Sequence, residues 1–155
     1  MRSLTRAALA LTVLAIGCVD PSTDASTPVG SVMSATVMDH PVVMRNLTRD
    51  RIEDRFFVSG TTAVDPPNEN IILSFDSLYG PGRIDINPTS TRVQVRYRHR
   101  PNATTNREFK GISGQVTIEN FTEAYASGTF SFTAQLIGGT DMITVNEGSF
   151  ETSLR

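Results

Sequence analysis

The chain has 155 residues, 39% of them hydrophobic, with eight Phe, three Tyr, no Trp and a single cysteine. That is enough chain for one domain and too little for two ordinary ones, and with one cysteine no internal disulfide is available, so the fold stands on packing. The formal net charge is −2, and setting Arg2 and Arg6 aside from the 14 basic residues leaves 12 against 16 acidic ones, which excludes the basic footprint of a general nucleic-acid binder.

The first element is a leader. Arg2 and Arg6 precede "AALALTVLAI" (7–16), an apolar run of ten residues. A membrane-crossing helix needs about 20, so residues 1–17 read as a secretory signal peptide. The small residues Ala15 and Gly17 stand at the cleavage positions, and the only cysteine, Cys18, follows them. Leu14-Ala15-Ile16-Gly17-Cys18 resembles the lipobox of bacterial lipoproteins, with Ala15 where Leu is commoner. The resemblance implies that the leader is cut before Cys18, that its sulfur carries a diacylglycerol and that its new amine is acylated. The alternative is an ordinary secretory peptide cut after Gly17, with Cys18 incidental. One acyl chain holds a protein only marginally, at about 0.8 kcal/mol per buried methylene, whereas two or three hold it for long times. "VDPSTDASTPVG" (19–30) has too few apolar residues to fold and fits a tether. Val19 after the cysteine is compatible with export to the outer membrane. The expected location is the bacterial envelope, with the membrane as partner through the N-terminal lipid.

From Ser31 onward the pattern is period-two alternation, the mark of half-buried strands. "SVMSATVM" (31–38) is the first. "NLTRDRIEDR" (46–55) has only Leu47 and Ile52 to bury. It reads as one or two helical turns capped by Asn46 or Thr48, or as a polar loop. Strands follow at 55–64, 70–75 and 82–86, separated by the turns "DPPNEN" (65–70), "YGPG" (79–82) and "NPTS" (87–90). "RVQVRYRHR" (92–100) puts Val93, Val95 and Tyr97 on one face and Arg92, Gln94, Arg96, Arg98 and Arg100 on the other. "GISG" (111–114) reads as a loop leading into "GQVTIEN" (114–120), where Val116 and Ile118 point inward. In "YASGTFSFTAQLI" (125–137), Ala126, Phe130, Phe132, Ala134 and Leu136 share a face. "GGTD" (138–141) reads as a tight hairpin. The last strand changes phase between Ile143/Val145 and Phe150/Thr152/Leu154, which places a bulge at Gly148. The expected fold is all-β, an antiparallel β-sandwich or small barrel of about eight or nine strands with little or no helix, forming one domain over 31–155.

"GQVTIENF", "ASGTFSFTAQ" and "DMITVNEGSF" follow one another in the C-terminal third. Their sequence resembles a group of small bacterial lipoproteins carrying a β-sandwich domain of unknown function. There a G-x-V-x-I strand leads to a G-T-F-S-F strand and then to one ending in G-x-F. The resemblance implies fold and location and carries over no catalytic residue.

Chemistry is sparse. His40 and His99 have no second ligand at metal spacing, so no metal and no cofactor is expected. Asp65, Asn68, Glu69 and Asn70 offer oxygens for a partial calcium site, but Asp and Asn also favour turns for backbone reasons. Glu119 with Glu123, and Glu53 with Asp54, are the close carboxylate pairs. "GISG" is one residue short of a nucleophile elbow, and no phosphate-binding glycine loop occurs. The triplets at Asn46, Asn102 and Asn120 match a glycan acceptor pattern that bacteria seldom use. The charge feature that stands out is Arg92, Arg96, Arg98, Arg100, Arg107 and Lys110, half of the 12 basic residues left after the leader. Arg92, Arg96, Arg98 and Arg100 on one face could contact lipid headgroups, acidic polysaccharide or an acidic partner. The plainer alternative is the solvated face of an edge strand, where charge blocks aggregation.

The sequence therefore points to a non-catalytic, membrane-anchored lipoprotein that binds an envelope protein or glycan or serves an envelope complex. A second reading is a small-ligand or lipid-binding domain, with a cavity lined by residues such as Phe130, Phe132 and Val116. A third is an envelope hydrolase with two titratable side chains meeting in a cleft.

Overall fold

Alternation settles which side chains turn inward, and closure of the sheet decides the architecture. A computed structural model of the chain describes residues 31–62, 68–76, 80–122 and 124–153. Cys18, the leader and the tether lie outside the described residues.

The described chain is all strand and turn: β1 (Val32–Val37), β2 (His40–Ile52), β3 (Arg55–Thr62), β4 (Glu69–Asp76), β5 (Gly82–Ile86), β6 (Val93–His99), β7 (Arg107–Phe121), β8 (Tyr125–Leu136) and β9 (Met142–Ser153). The sheet order is β5-β7-β6-β4-β3-β2-β1-β9-β8, and β8 pairs in turn with β7. The chain thus winds as an antiparallel meander into a closed eight-stranded barrel, sealed by β1 against β9, with β5 added. Of the two architectures expected from the sequence, the barrel is the one adopted.

Strand β5 is half of a shared stave. It runs along Gly114–Ile118 of β7, while β6 runs along Arg107–Lys110. The other edge of β7 is taken by β8. Strands β5 and β6 therefore lie end to end in one lane, in the same direction, with residues 87–92 looping out between them. Asn87 holds this loop by accepting from the Thr89 backbone N–H and hydroxyl.

The inward faces fill the barrel. Met33, Met44, Phe56, Val58, Ile71, Leu73, Phe75, Val93, Val95, Val116, Ile118 and Val145 are almost wholly buried. Phe56, Phe75 and Phe121 cluster at one end, with ring centroids 5.0 to 5.9 Å apart. Arg49 lies over the Phe56 ring at 4.5 Å and donates to the Thr122 carbonyl, covering that end. Phe130, Phe132 and Val116 are buried among these neighbours.

Three segments depart from the sequence reading. Residues 46–55 form neither helical turns nor a loop: they complete β2, turn at 53–54 and begin β3, because β2 and β3 pair from Met44–Thr62 to Ile52–Arg55. Residues 111–114 are not a loop but the middle of β7, whose pairing with β8 runs through them. Strand β6 is not an edge strand, since β4 and β7 flank it. The phase change in β9 is a bulge, as expected, but it lies at Asn146 and Glu147, just before Gly148, which is itself paired. Phe130 pairs with Gly148 but Phe132 pairs with Val145, so Asn146 and Glu147 face a single residue, with Glu147 at φ 51°.

Candidate functional site

Among the described residues no group of three or more His, Cys, Asp or Glu is placed to hold a metal. His40 is exposed at the start of β2, and the His99 ring lies 6.3 Å from that of Tyr97. Of the acidic turn, Asp65 lies outside the described residues and the rest is engaged in the fold. Thr62 donates to Asn68, Tyr97 donates to Glu69 at 2.7 Å, and Asn70 donates to Ser59 and the Gly60 carbonyl. Glu53 and Asp54 sit in the β2–β3 turn, Glu119 is exposed on β7, and Glu123 lies outside the described residues.

The arginine face is where outward side chains converge. Register fixes the wall in rows across β3, β4, β6 and β7. Phe57, Ser74 and Gln94 stand abreast, then Ser59, Ile72, Arg96 and Lys110, then Thr61, Asn70, Arg98 and Glu108. Glu108 accepts from Arg96 Nη1 at 2.7 Å and from Arg98 Nε at 3.2 Å. One carboxylate thus orients two guanidiniums and neutralises only one of their charges. Burial works against the charge of Glu108, but the hydrogen bonds and positive charges of Arg96 and Arg98 outweigh it and hold its pKa below the ordinary carboxylate value.

Arg55 enters from β3, a contribution that the arginine spacing in the sequence could not show. Its Nε and Nη2 donate to the Ser74 hydroxyl at 2.9 and 2.8 Å, and its Nη1 to the Thr91 carbonyl. Both acceptors are neutral oxygens, and they fix the guanidinium at the edge of the wall. Between the arginines lies a depression of about 420 Å³ lined by Arg55, Phe57, Ile72, Gln94, Arg96 and Arg98. A second, of about 370 Å³, adjoins it at Ile72 and Arg98 and reaches Arg100 and Asn106. The side chains of Arg96 and Arg98 are 44% and 43% exposed, against 23% for Glu108. The guanidiniums face solvent and the carboxylate sits below them.

The expected face is therefore divided. Arg96, Arg98 and Arg100 line two adjoining depressions that share Arg98, and Arg92 lies apart, against the 87–92 loop and β5. Arg107 is taken by an ion pair with Asp141.

Residues 50–152, from the last three residues of β2 through nearly all of β9, match the family model of a domain of unknown function, DUF6252. The chain belongs to that family. No curated protein matches it. The arginine wall lies wholly within the matched span of this DUF6252 domain, as do the G-x-F segments of β8 and β9. Strand β1 and most of β2 precede the span, yet both are staves of the closed ring.

Proposed function

We propose that this DUF6252 protein is a lipid-anchored module of the bacterial envelope, tethered through Cys18. Its barrel holds an acidic ligand on the outer wall of β3, β4 and β6 and performs no catalysis. The observation that carries the binding role is Arg55, Arg96 and Arg98 grouped around half-buried Phe57 and Ile72, with Glu108 as the carboxylate that orients two of them. Guanidinium forks match carboxylate, phosphate and sulfate oxygens, and an apolar floor beside them lowers the local dielectric and strengthens the contact.

The anchor supports the same picture. Strand β1 begins at the barrel end where Ser31 accepts from the Ser153 backbone, the end closed by Arg49. A tether leaving from Ser31 would hold that end towards the lipid and leave the wall running away from it, open along its length. The reading that places a small ligand inside the barrel finds its candidate lining, Phe130, Phe132 and Val116, packed into the core.

The test has two arms on the full chain expressed in a bacterial host. Labelled palmitate should enter wild-type protein and be absent from Cys18→Ser, which should leave the membrane fraction. Detergent-solubilised wild type should be retained on a polyanion matrix at low salt, and Arg96→Gln/Arg98→Gln should elute earlier. Unlabelled wild type would end the anchoring claim, and unchanged elution of the double variant would end the binding claim.

A further inference from the structure

We infer that the acidic ligand is an envelope glycan bearing carboxylates on its sugar rings, laid lengthwise in the groove between Arg55 and Asn106. This rests on the proposed binding role of the same wall.

The first ground is shape. The two depressions adjoin at Ile72 and Arg98, follow one another along β4 and β6, and are both open to solvent, so together they form an elongated trough-like surface. An extended chain fits a trough, whereas a compact small molecule is held by an enclosed pocket.

The second ground is the mixture of groups. The floor offers apolar surface from Phe57 and Ile72 against which the C–H face of a pyranose ring can pack, and the negative face of the Phe57 ring favours those C–H groups. The sides offer Gln94 and Asn106 amides and the Ser59 and Thr61 hydroxyls, partners for sugar hydroxyls. Arg96 and Arg98 lie two residues apart on β6, so their stems rise about 7 Å apart along the trough. Glu108 occupies Nη1 of Arg96 and Nε of Arg98, and among the described residues the remaining N–H groups of each fork have no hydrogen-bond acceptor, which leaves them to ring carboxylates. Pinning the two side chains beforehand also lowers the ordering cost of binding.

The third ground is what the wall does not offer other polyanions. Strands β3 and β4 have both edges paired, and β6 has both paired over Arg96–His99, so on this stretch of the wall an acidic peptide finds no backbone to extend along. Phe57 and Ile72 are half-buried in the trough and do not protrude as a membrane-inserting residue would. The acidic overall charge disfavours nucleic acid.

The experiment measures binding of the full chain in neutral detergent to five probes at physiological salt. These are a labelled oligomer of uronic acid, a neutral oligomer of the same linkage, a sulfated oligosaccharide, polyphosphate, and vesicles containing phosphatidylglycerol. Phe57 points outward, so Phe57→Ala spares the core, and Arg98→Lys keeps the charge while losing the fork. The uronate oligomer should bind and the neutral one should not. Each variant should lose about tenfold for uronate, the effect of one charge-assisted contact or one stacking surface, with little change for polyphosphate. Preference for the sulfated oligosaccharide, with the same variant losses, would overturn the carboxylate assignment and leave an anionic glycan. Equal binding of polyphosphate or vesicles with no effect of Phe57→Ala would overturn the glycan and leave the acidic-ligand reading standing. No binding of any anionic probe would overturn both.

Discussion

Phe130 on β8 lies against Gly148, its direct partner on β9, and two rungs away Phe150 on β9 lies against Gly128 on β8. Both strands carry the segment G-x-F, and antiparallel pairing makes it complementary to itself. Each ring occupies the space that the opposite glycine leaves free. A methyl group on Gly148 would fall inside the Phe130 ring's van der Waals surface. Gly148→Ala should therefore destabilise the barrel by about 1–3 kcal/mol, the usual cost of overpacking a filled core. Phe130→Leu made in the same chain should recover part of that loss, and a double-mutant cycle from denaturant melts reads the coupling. Strict additivity would show that ring and glycine do not share the space.

The bridge from Glu108 to Arg96 and Arg98 makes a pH prediction. The folded pKa of Glu108 is depressed, so the unfolded chain binds the proton more readily. The stabilisation is present above the unfolded carboxylate value of about 4.3 and is lost as pH falls through the lower folded value. Glu108→Gln should cost about 0.5–1 kcal/mol at pH 7, in the range of partly exposed ion pairs. The gap between wild type and variant should close below about pH 4. Urea melts from pH 7 down to pH 3 measure it, and a gap that stays constant would remove the bridge from the stability of the wall.

Tyr97 titrates the other way. Burial first, then the hydrogen bond to Glu69 and the charge of that carboxylate, raise its pKa far above the ordinary phenol. Stability from this group is fully present below the unfolded value of about 10 and declines as pH rises beyond it. Tyr97→Phe should be less stable by about 1 kcal/mol at pH 8 and lose less between pH 8 and pH 11. The ultraviolet phenolate signal should show Tyr97 ionising only with unfolding. Its ionisation in the folded barrel at pH 10 would contradict the buried bond.

The legibility of these features in the sequence follows strand by strand. Strands β8 and β9 are readable because Phe130, Phe132, Ile143 and Val145 alternate strongly, and the phase change in β9 marks its bulge. Strand β2 is not. Its inward Val42 and Met44 are followed by an extra residue, Arg45, where the register with β3 shifts, so Leu47 and Arg49 continue on the other parity. The first half of β7 is hidden for a different reason. Gly111 occupies an inward position beneath Val95 with no side chain to register the alternation. Closure of β1 against β9 is a long-range pairing that no local period encodes, so alternation alone leaves sandwich and barrel equivalent. Of the wall, alternation can group Arg96 and Arg98, but Arg55, Phe57, Ile72 and Glu108 join them only through the register of four strands.

That register gives Arg55 a structural task as well. It stands on β3, yet its guanidinium spans β4 to reach the Thr91 carbonyl in the loop that interrupts the β5–β6 stave. On the way it caps the buried Ser74 hydroxyl. Arg55→Met keeps most of the apolar stem and removes every one of these donors. The Ser74 hydroxyl and the Thr91 carbonyl then lose their partner, which should cost about 1–3 kcal/mol. Adding Ser74→Ala to the Arg55→Met variant should restore part of that, because the stranded hydroxyl is gone. Amide exchange separates this effect from general weakening. Residues 87–92 should exchange faster in Arg55→Met, while Arg96–His99 of β6, held on both sides by β4 and β7, should keep their protection. Uniform acceleration across β6 would mean that Arg55 supports the barrel as a whole and not this loop.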